Sequence, residues 1–209
     1  MKRDTRQEIL NAARTLFNQY GYNGVSLRDI AEAVGISKGN LTYHFSKKED
    51  IIESLLDSEK GSLPPQAPGT IRELDTMFIN MQKTVVSHSY FFLHHTQLGQ
   101  ISENIFQRQR RRYKRILPHL NNAFATLRDN GFFRPELFEG EYERLIDMLY
   151  MSIIYWAPFS RLQQATAHGM NFRRHIWGAL FHLLTEKGRR ELDEILAECN
   201  IRGANTSLS

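Results

Sequence analysis

The chain has 209 residues, 41% of them hydrophobic and 24% charged, and a net charge of +4. That length allows one large domain or two small ones, and the composition is that of a globular chain with a sizeable core. The single cysteine, Cys199, excludes an internal disulfide and a multi-thiol metal site. The N-terminal MKRDTRQEIL lacks the apolar core of a signal peptide. The most apolar stretch, MLYMSIIYWAPFS at 148–160, is too short to span a bilayer. A cytoplasmic protein is expected.

Residues 1–60 punctuate themselves as four helices. Thr5-Arg6-Gln7-Glu8 reads as a capping box ahead of Ile9, Ala12, Ala13, Leu16 and Phe17 at helical spacing, and Gly21 stops that helix. Ser26-Leu27-Arg28-Asp29 opens a second helix, with Val25 and Ile30 as its hydrophobic staple and Gly35 as its stop. Ser37 caps a third, stapled by Ile36 and Leu41, although Gly39 sits inside it at a cost of about 1 kcal/mol relative to alanine. Ser46-Lys47-Lys48-Glu49 opens a fourth, with Ile51, Ile52, Leu55 and Leu56 as its apolar stripe.

GSLPPQAPG at 61–69 holds three prolines and two glycines and reads as the connection between a domain of residues 1–60 and one of 61–209. Thr70-Ile71-Arg72-Glu73 then opens a long helix carrying Ile71, Leu74, Phe78, Met81 and Val85 on one face. A shorter helical piece is expected around 91–101 and a long helix from about Ser102 to Asn130, bent near Pro118 and capped by Gly131. Further helices are expected at about 141–163 and 170–187, with a terminal amphipathic segment at 189–199. No period-2 alternation competes, so the fold class is all-α.

Two short helices joined by a tight glycine-containing turn form the helix-turn-helix pattern, whose second helix enters the major groove of DNA. Lys38, Asn40 and Thr42 are then side chains that can read base edges or reach phosphates, and Gly39 lets the backbone approach the duplex. Tyr43 and His44 flank them. Ser26 and Arg28, the helix-capping Ser37, and Lys47 and Lys48 on the next helix are placed for phosphate contacts, with helix-end amides as further receptors. Lys2, Arg3 and Arg6 could form a basic arm. Residues 1–60 hold nine Lys/Arg against nine Asp/Glu, so placement rather than net charge must select a polyanion.

Residues 8–55 closely resemble the DNA-binding domain of the TetR/AcrR family of bacterial transcriptional regulators. The matching marks are A-A-x-x-L-F at 12–17, G-Y-x-G-V-S at 21–26, D-I-A-x-A-V-G-I-S-K-G at 29–39, and Y-H-F followed by the lysines at 47 and 48. The resemblance implies a helical domain after the helix-turn-helix, a homodimer on a palindromic operator, and a pocket whose occupancy by a small molecule releases the DNA. Phe78, Met81, Val85, Tyr113, Leu117, Phe124, Tyr150 and Ile153 are expected to line that pocket and to suit a mostly apolar effector. The resemblance also implies a four-helix dimer interface, expected from Leu145, Leu149, Ser152, Trp156 and Phe159 on one helix and Phe172, Ile176, Ala179 and Leu183 on another.

The run RQRRRYKR at 108–115 reads as a solvated helix face rather than an anion wall. His88, His94 and His95 are out of register with one another, and His168, His175 and His182 lie roughly 10 Å apart along a helix, so no metal site is expected. No cofactor is expected, and no nucleotide-binding or hydrolase motif marks an enzyme. The leading expectation is a ligand-responsive DNA-binding regulator, a repressor by type. The alternative is a DNA-binding adaptor governed by a protein partner without a small-molecule effector.

Overall fold

The computed structural model describes residues 4–58, 63–163 and 172–206. Its elements are α1 (Thr5–Tyr20), α2 (Leu27–Val34), α3 (Lys38–His44), α4 (Lys48–Ser58), α5 (Ile71–Ser87), α6 (Ser89–Leu93), α7 (His95–Ile101), α8 (Glu103–Asp129), α9 (Glu141–Gln163), α10 (Phe172–Leu180) and α11 (Glu186–Thr206), with a 3₁₀ turn at Phe181–Leu183. No strand occurs among the described residues, only an isolated antiparallel bridge between Phe133 and Leu184. The all-α expectation holds. The expected basic arm residues Lys2 and Arg3, the connection residues 61 and 62, and His168 lie outside the described residues.

Local capping chemistry explains most helix starts. Ser26 Oγ accepts from the Asp29 amide while the Asp29 carboxylate accepts from the Ser26 amide, a complete capping box. Ser37 Oγ accepts from the Asn40 amide at 3.1 Å. Gly35 takes the left-handed conformation at φ 71°, ψ 35°, which closes α2 without a Cβ penalty. Two caps differ from expectation by one residue. Asp4, not Thr5, accepts the Gln7 amide and adds a negative charge at the helix N-terminus. At α4, Asp50 rather than Glu49 closes the turn, accepting from Ser46 Oγ at 2.6 Å and from the Lys47 amide.

The chain resolves into two compact units whose division is not simply at residue 60. The first gathers α1–α4 with residues Thr84–Tyr113 and Ile154–Leu162. Hydrogen bonds explain the grouping. Asn18 of α1 donates to the Ser87 carbonyl and accepts from Ser89 Oγ and the Tyr90 amide. Glu53 of α4 accepts from Ser102 Oγ at 3.0 Å and faces Arg108, which also pairs with Asp57. Phe17, Ile30, Leu41, Ile51, Ile52 and Phe91 are at most 1% exposed in this unit's core.

The second unit holds α5 as far as Lys83, Lys114–Ile153, and the chain from Phe172 on. The single helix expected over 170–187 is instead broken. The Thr185 amide donates to the Phe132 carbonyl and the Arg134 amide to the Leu183 carbonyl, so the extended Leu184 bridges to Phe133 just after the 3₁₀ turn. Thr185 Oγ1 then accepts from the Gly188 amide and starts α11.

The faces expected to form a dimer interface need correction. Leu149, Trp156, Phe172, Ile176 and Leu183 are buried within the subunit itself, at 8% exposure or less. Of the expected set, Leu145 and Ser152 are half-buried, and Phe159 and Ala179 are exposed. The apolar side chains that α9 leaves exposed are Met148, Met151, Tyr155, Phe159 and Leu162. They recur at three- and four-residue spacing, one stripe of the helix. No described helix is long and apolar enough to cross a membrane.

Candidate nucleic-acid interface

The first unit presents α3 with one side in the core and the other in solvent. Leu41 is fully buried and Phe45 3% exposed, so the intervening residues are forced outward. Lys38, Gly39 and Asn40 are exposed, and Tyr43 reaches 86% exposure, which a large aromatic ring has no folding reason to adopt. Its ring meets His44 edge-on at 5.4 Å. The Thr42 hydroxyl donates back to the Gly39 carbonyl at 3.0 Å, which leaves the oxygen's acceptor capacity and the methyl for a partner.

Ser26, Arg28 and Ser37 are exposed at the ends of α2 and α3, and Lys47 is exposed just before α4. Arg28, Ala31, Glu32, Ile36 and Lys38 line an open cleft of about 500 Å³ between α2 and α3. The Ser26 amide and hydroxyl hold the Asp29 carboxyl below its usual pKa, so the α2 cap is charged across the working pH range.

Lys48, expected at a phosphate, and Arg6, expected in a basic arm, both have partners within the protein. Lys48 Nζ donates to the carbonyls of Tyr22 at 2.6 Å and Val25 at 2.8 Å and stands 4.0 Å from the Tyr22 ring centroid. Burial lowers its pKa against the opposing pull of Glu49 and Asp29. Arg6 donates to Ser54 Oγ at 2.9 Å and its guanidinium lies 4.9 Å over the Phe45 ring, so it is part of the packing and not a loose arm. Tyr22, with its hydroxyl 2.5 Å from Glu49 Oε1, is a residue the sequence reading named in a motif without giving it a role.

The basic run at 108–115 also divides. Arg108 is paired with Glu53 and Asp57, Gln109 is 8% exposed and donates to the His95 carbonyl, and Arg112 lies 5.9 Å from the Phe92 ring centroid. Arg110, Arg111, Lys114 and Arg115 are exposed. His95 is pushed down to about pH 4, first by burial and then by Arg112, and so is neutral near pH 7. No cluster of three metal-ligating side chains occurs among the described residues.

Of the residues expected to line an effector pocket, the second unit buries Phe78, Met81, Phe124 and Ile153 and half-buries Leu117 and Tyr150. Phe78 meets the Trp177 ring edge-on at 5.6 Å. Phe124 meets Phe133 at 5.2 Å and Tyr142 at 5.5 Å, both edge-on, a filled aromatic cluster. In the first unit Val85 is buried and Tyr113 is 39% exposed.

A three-helix head with a capped, outward-facing recognition helix, followed by a larger helical body, defines a helix-turn-helix regulator by architecture. Residues 9–55 match the bacterial regulatory proteins of the tetR family, and residues 50–192 match the bacterial transcriptional repressor family named TetR. The chain belongs to the TetR family. Among relatives, the HTH-type transcriptional repressor AcnR of Corynebacterium diphtheriae is 46% identical over 50 residues, 24% of this chain and 26% of that protein. The match spans about a quarter of the length of this and similar curated relatives. The repressor KstR2 of Mycobacterium tuberculosis is 22% identical over 73% of this chain and 82% of its own. A TetR-family regulator from Marinobacter aquaeolei VT8 superposes with a TM-score of 0.81 at 26% identity, over 94% of this chain and 98% of that one.

Proposed function

We propose that this protein is a ligand-responsive transcriptional repressor that binds a palindromic operator as a homodimer and is released by a small, mostly apolar effector. The observation that carries the reading is the outward side of α3, where Lys38, Asn40 and Tyr43 stand exposed on a helix anchored in the core by the fully buried Leu41. A lysine suits guanine edges or phosphates, an asparagine pairs bidentately with adenine, and a tyrosine hydroxyl reaches a phosphate.

The dimer follows from α9. Met148, Met151, Tyr155, Phe159 and Leu162 form an exposed apolar stripe, and a twofold axis lets that stripe meet its own copy. Two heads then read half-sites roughly 34–36 Å apart, one turn of DNA. Phe78, Met81, Tyr150 and Ile153 supply aromatic and sulfur-containing surface for an apolar effector. Such a ligand releases the DNA only by binding better to the protein form whose heads are wrongly spaced.

The test is selection of sheared genomic fragments from the source organism by the purified full chain. Recovery of fragments sharing an inverted repeat supports the reading. Recovery without sequence preference, with affinity set by salt alone, defeats it.

A further inference from the structure

We infer that Lys48 is a positioning residue for operator recognition, which clamps the turn before α2 to the first turn of α4, and that it does not bind a phosphate. The inference rests on the DNA-binding reading above. It departs from the sequence expectation, under which Lys48 and Lys47 are equivalent phosphate cations.

The geometry separates the two lysines. An ammonium has three N–H donors. For Lys48, two are taken by the carbonyls of Tyr22 and Val25 at 2.6 and 2.8 Å, and the remaining side of the group faces the Tyr22 ring at 4.0 Å. A phosphate would have to displace one of these partners and unmake a partly buried cation–π contact. Lys47, one residue earlier, is exposed.

What the clamp holds is the segment that aims the reading helices. Tyr22 and Val25 bracket Asn23 and Gly24, and the next residue, Ser26, caps α2. This turn has no slack: a Cβ at Gly24 would lie 2.5 Å from the Tyr20 carbonyl oxygen. Glu49, the neighbour of Lys48 on α4, accepts from the Tyr22 hydroxyl at 2.5 Å. Two successive residues of α4 therefore grip both the backbone and the ring tip of Tyr22, and Tyr22 is itself wedged against Phe17 at 5.8 Å. α3 has only seven residues and its packing on α2 sets its direction, so a tilt of α2 carries Lys38, Asn40 and Tyr43 with it. Hydrogen bonds to base edges weaken steeply with such misalignment. The site also demands lysine. Arginine keeps the charge, but its planar fork cannot place one compact cation on two carbonyls and a ring face.

The experiment measures affinity for two probes: a duplex that the wild-type full chain selects from a random-sequence library, and a scrambled duplex of the same length. The variants are Lys48→Met, Lys48→Arg and, as the phosphate-contact control, Lys47→Met. The clamp predicts that both Lys48 variants lose roughly tenfold or more on the selected duplex, the scale of one misplaced base contact, with little change on the scrambled one. Lys47→Met weakens both alike. Wild-type binding by Lys48→Arg, or equal weakening on both duplexes by Lys48→Met, overturns the clamp. A second measurement needs no variant to fold: acylation of the DNA-free wild-type protein should modify Lys47 readily and Lys48 only on unfolding. Equal labelling of the two lysines overturns the clamp while leaving the regulator reading standing. Failure to select any duplex, with Lys48 still protected, defeats the regulator reading and with it the role assigned here.

Discussion

Arg173 grips the carboxylate of Asp75 with two hydrogen bonds, from Nε at 2.5 Å and from Nη2 at 2.8 Å, and Trp177 Nε1 adds a third at 2.8 Å. Asp75 is 3% exposed, so this pair ties α5 to α10 inside the core of the second unit. Removing one partner leaves the other charged and buried. Asp75→Ala is expected to cost about 3–5 kcal/mol, read as a lower urea midpoint. A loss below about 1 kcal/mol would mean that Arg173 finds solvent once released.

Acid should unfold the second unit through Glu141. Arg134 donates to both of its oxygens at 2.6 and 2.8 Å and the Leu137 amide adds a bond, which together hold its pKa at about 2 despite burial. A carboxyl depressed in the folded state stabilises above its ordinary pKa and loses that contribution as pH falls towards the folded value. Melting temperatures should therefore fall between about pH 5 and pH 2 in wild type. Glu141→Gln should start lower and fall less over the same window. Parallel curves would show that Glu141 contributes no pH dependence.

Phe124→Ala distinguishes core from pocket. The residue is fully buried and packed edge-on against two rings, so truncation is expected to cost about 3–5 kcal/mol, with the folded remnant still binding DNA. A variant of undiminished stability with altered effector response would return Phe124 to the pocket.

Asn40→Ala should abolish preference for the selected site at one base pair, a loss of about 1–3 kcal/mol, while non-specific binding persists. Affinity unchanged across single-base variants of the site would remove Asn40 from the reading face.

Sedimentation tests the α9 stripe. Wild type is expected as a dimer at micromolar concentration, and Met151→Glu with Tyr155→Glu as a folded monomer, because both positions are more than half exposed in the subunit and tolerate charge there. A double variant that stays dimeric places the interface elsewhere.

The helix starts were legible in the sequence because capping is local. Ser26, Ser37 and Gly35 need only partners within four or five residues, and a reader of the chain can count those. The alternation that buries Leu41 and exposes Asn40 and Tyr43 is equally local, a consequence of helical period, whereas Lys38 shares the Leu41 face and is exposed because it opens the helix. Family membership was legible too, since the matching motifs fall almost entirely within those same turns.

Tertiary structure decided which apolar face goes where. α9 is apolar nearly all round, from Leu145 and Ile146 through Met148, Leu149 and Met151 to Ile153 and Ile154, so periodicity offers two candidate stripes and cannot choose between them. The structure buries Leu149 and Trp156 and leaves Met151 and Tyr155 outside. It likewise decided the fate of the charges. Lys47 and Lys48 are the same residue type at adjacent positions, yet one faces solvent and the other closes on carbonyls 26 and 23 residues away in the chain. Sequence determines the local geometry of a side chain's attachment; its partner is set by which distant segment folding brings within hydrogen-bonding reach.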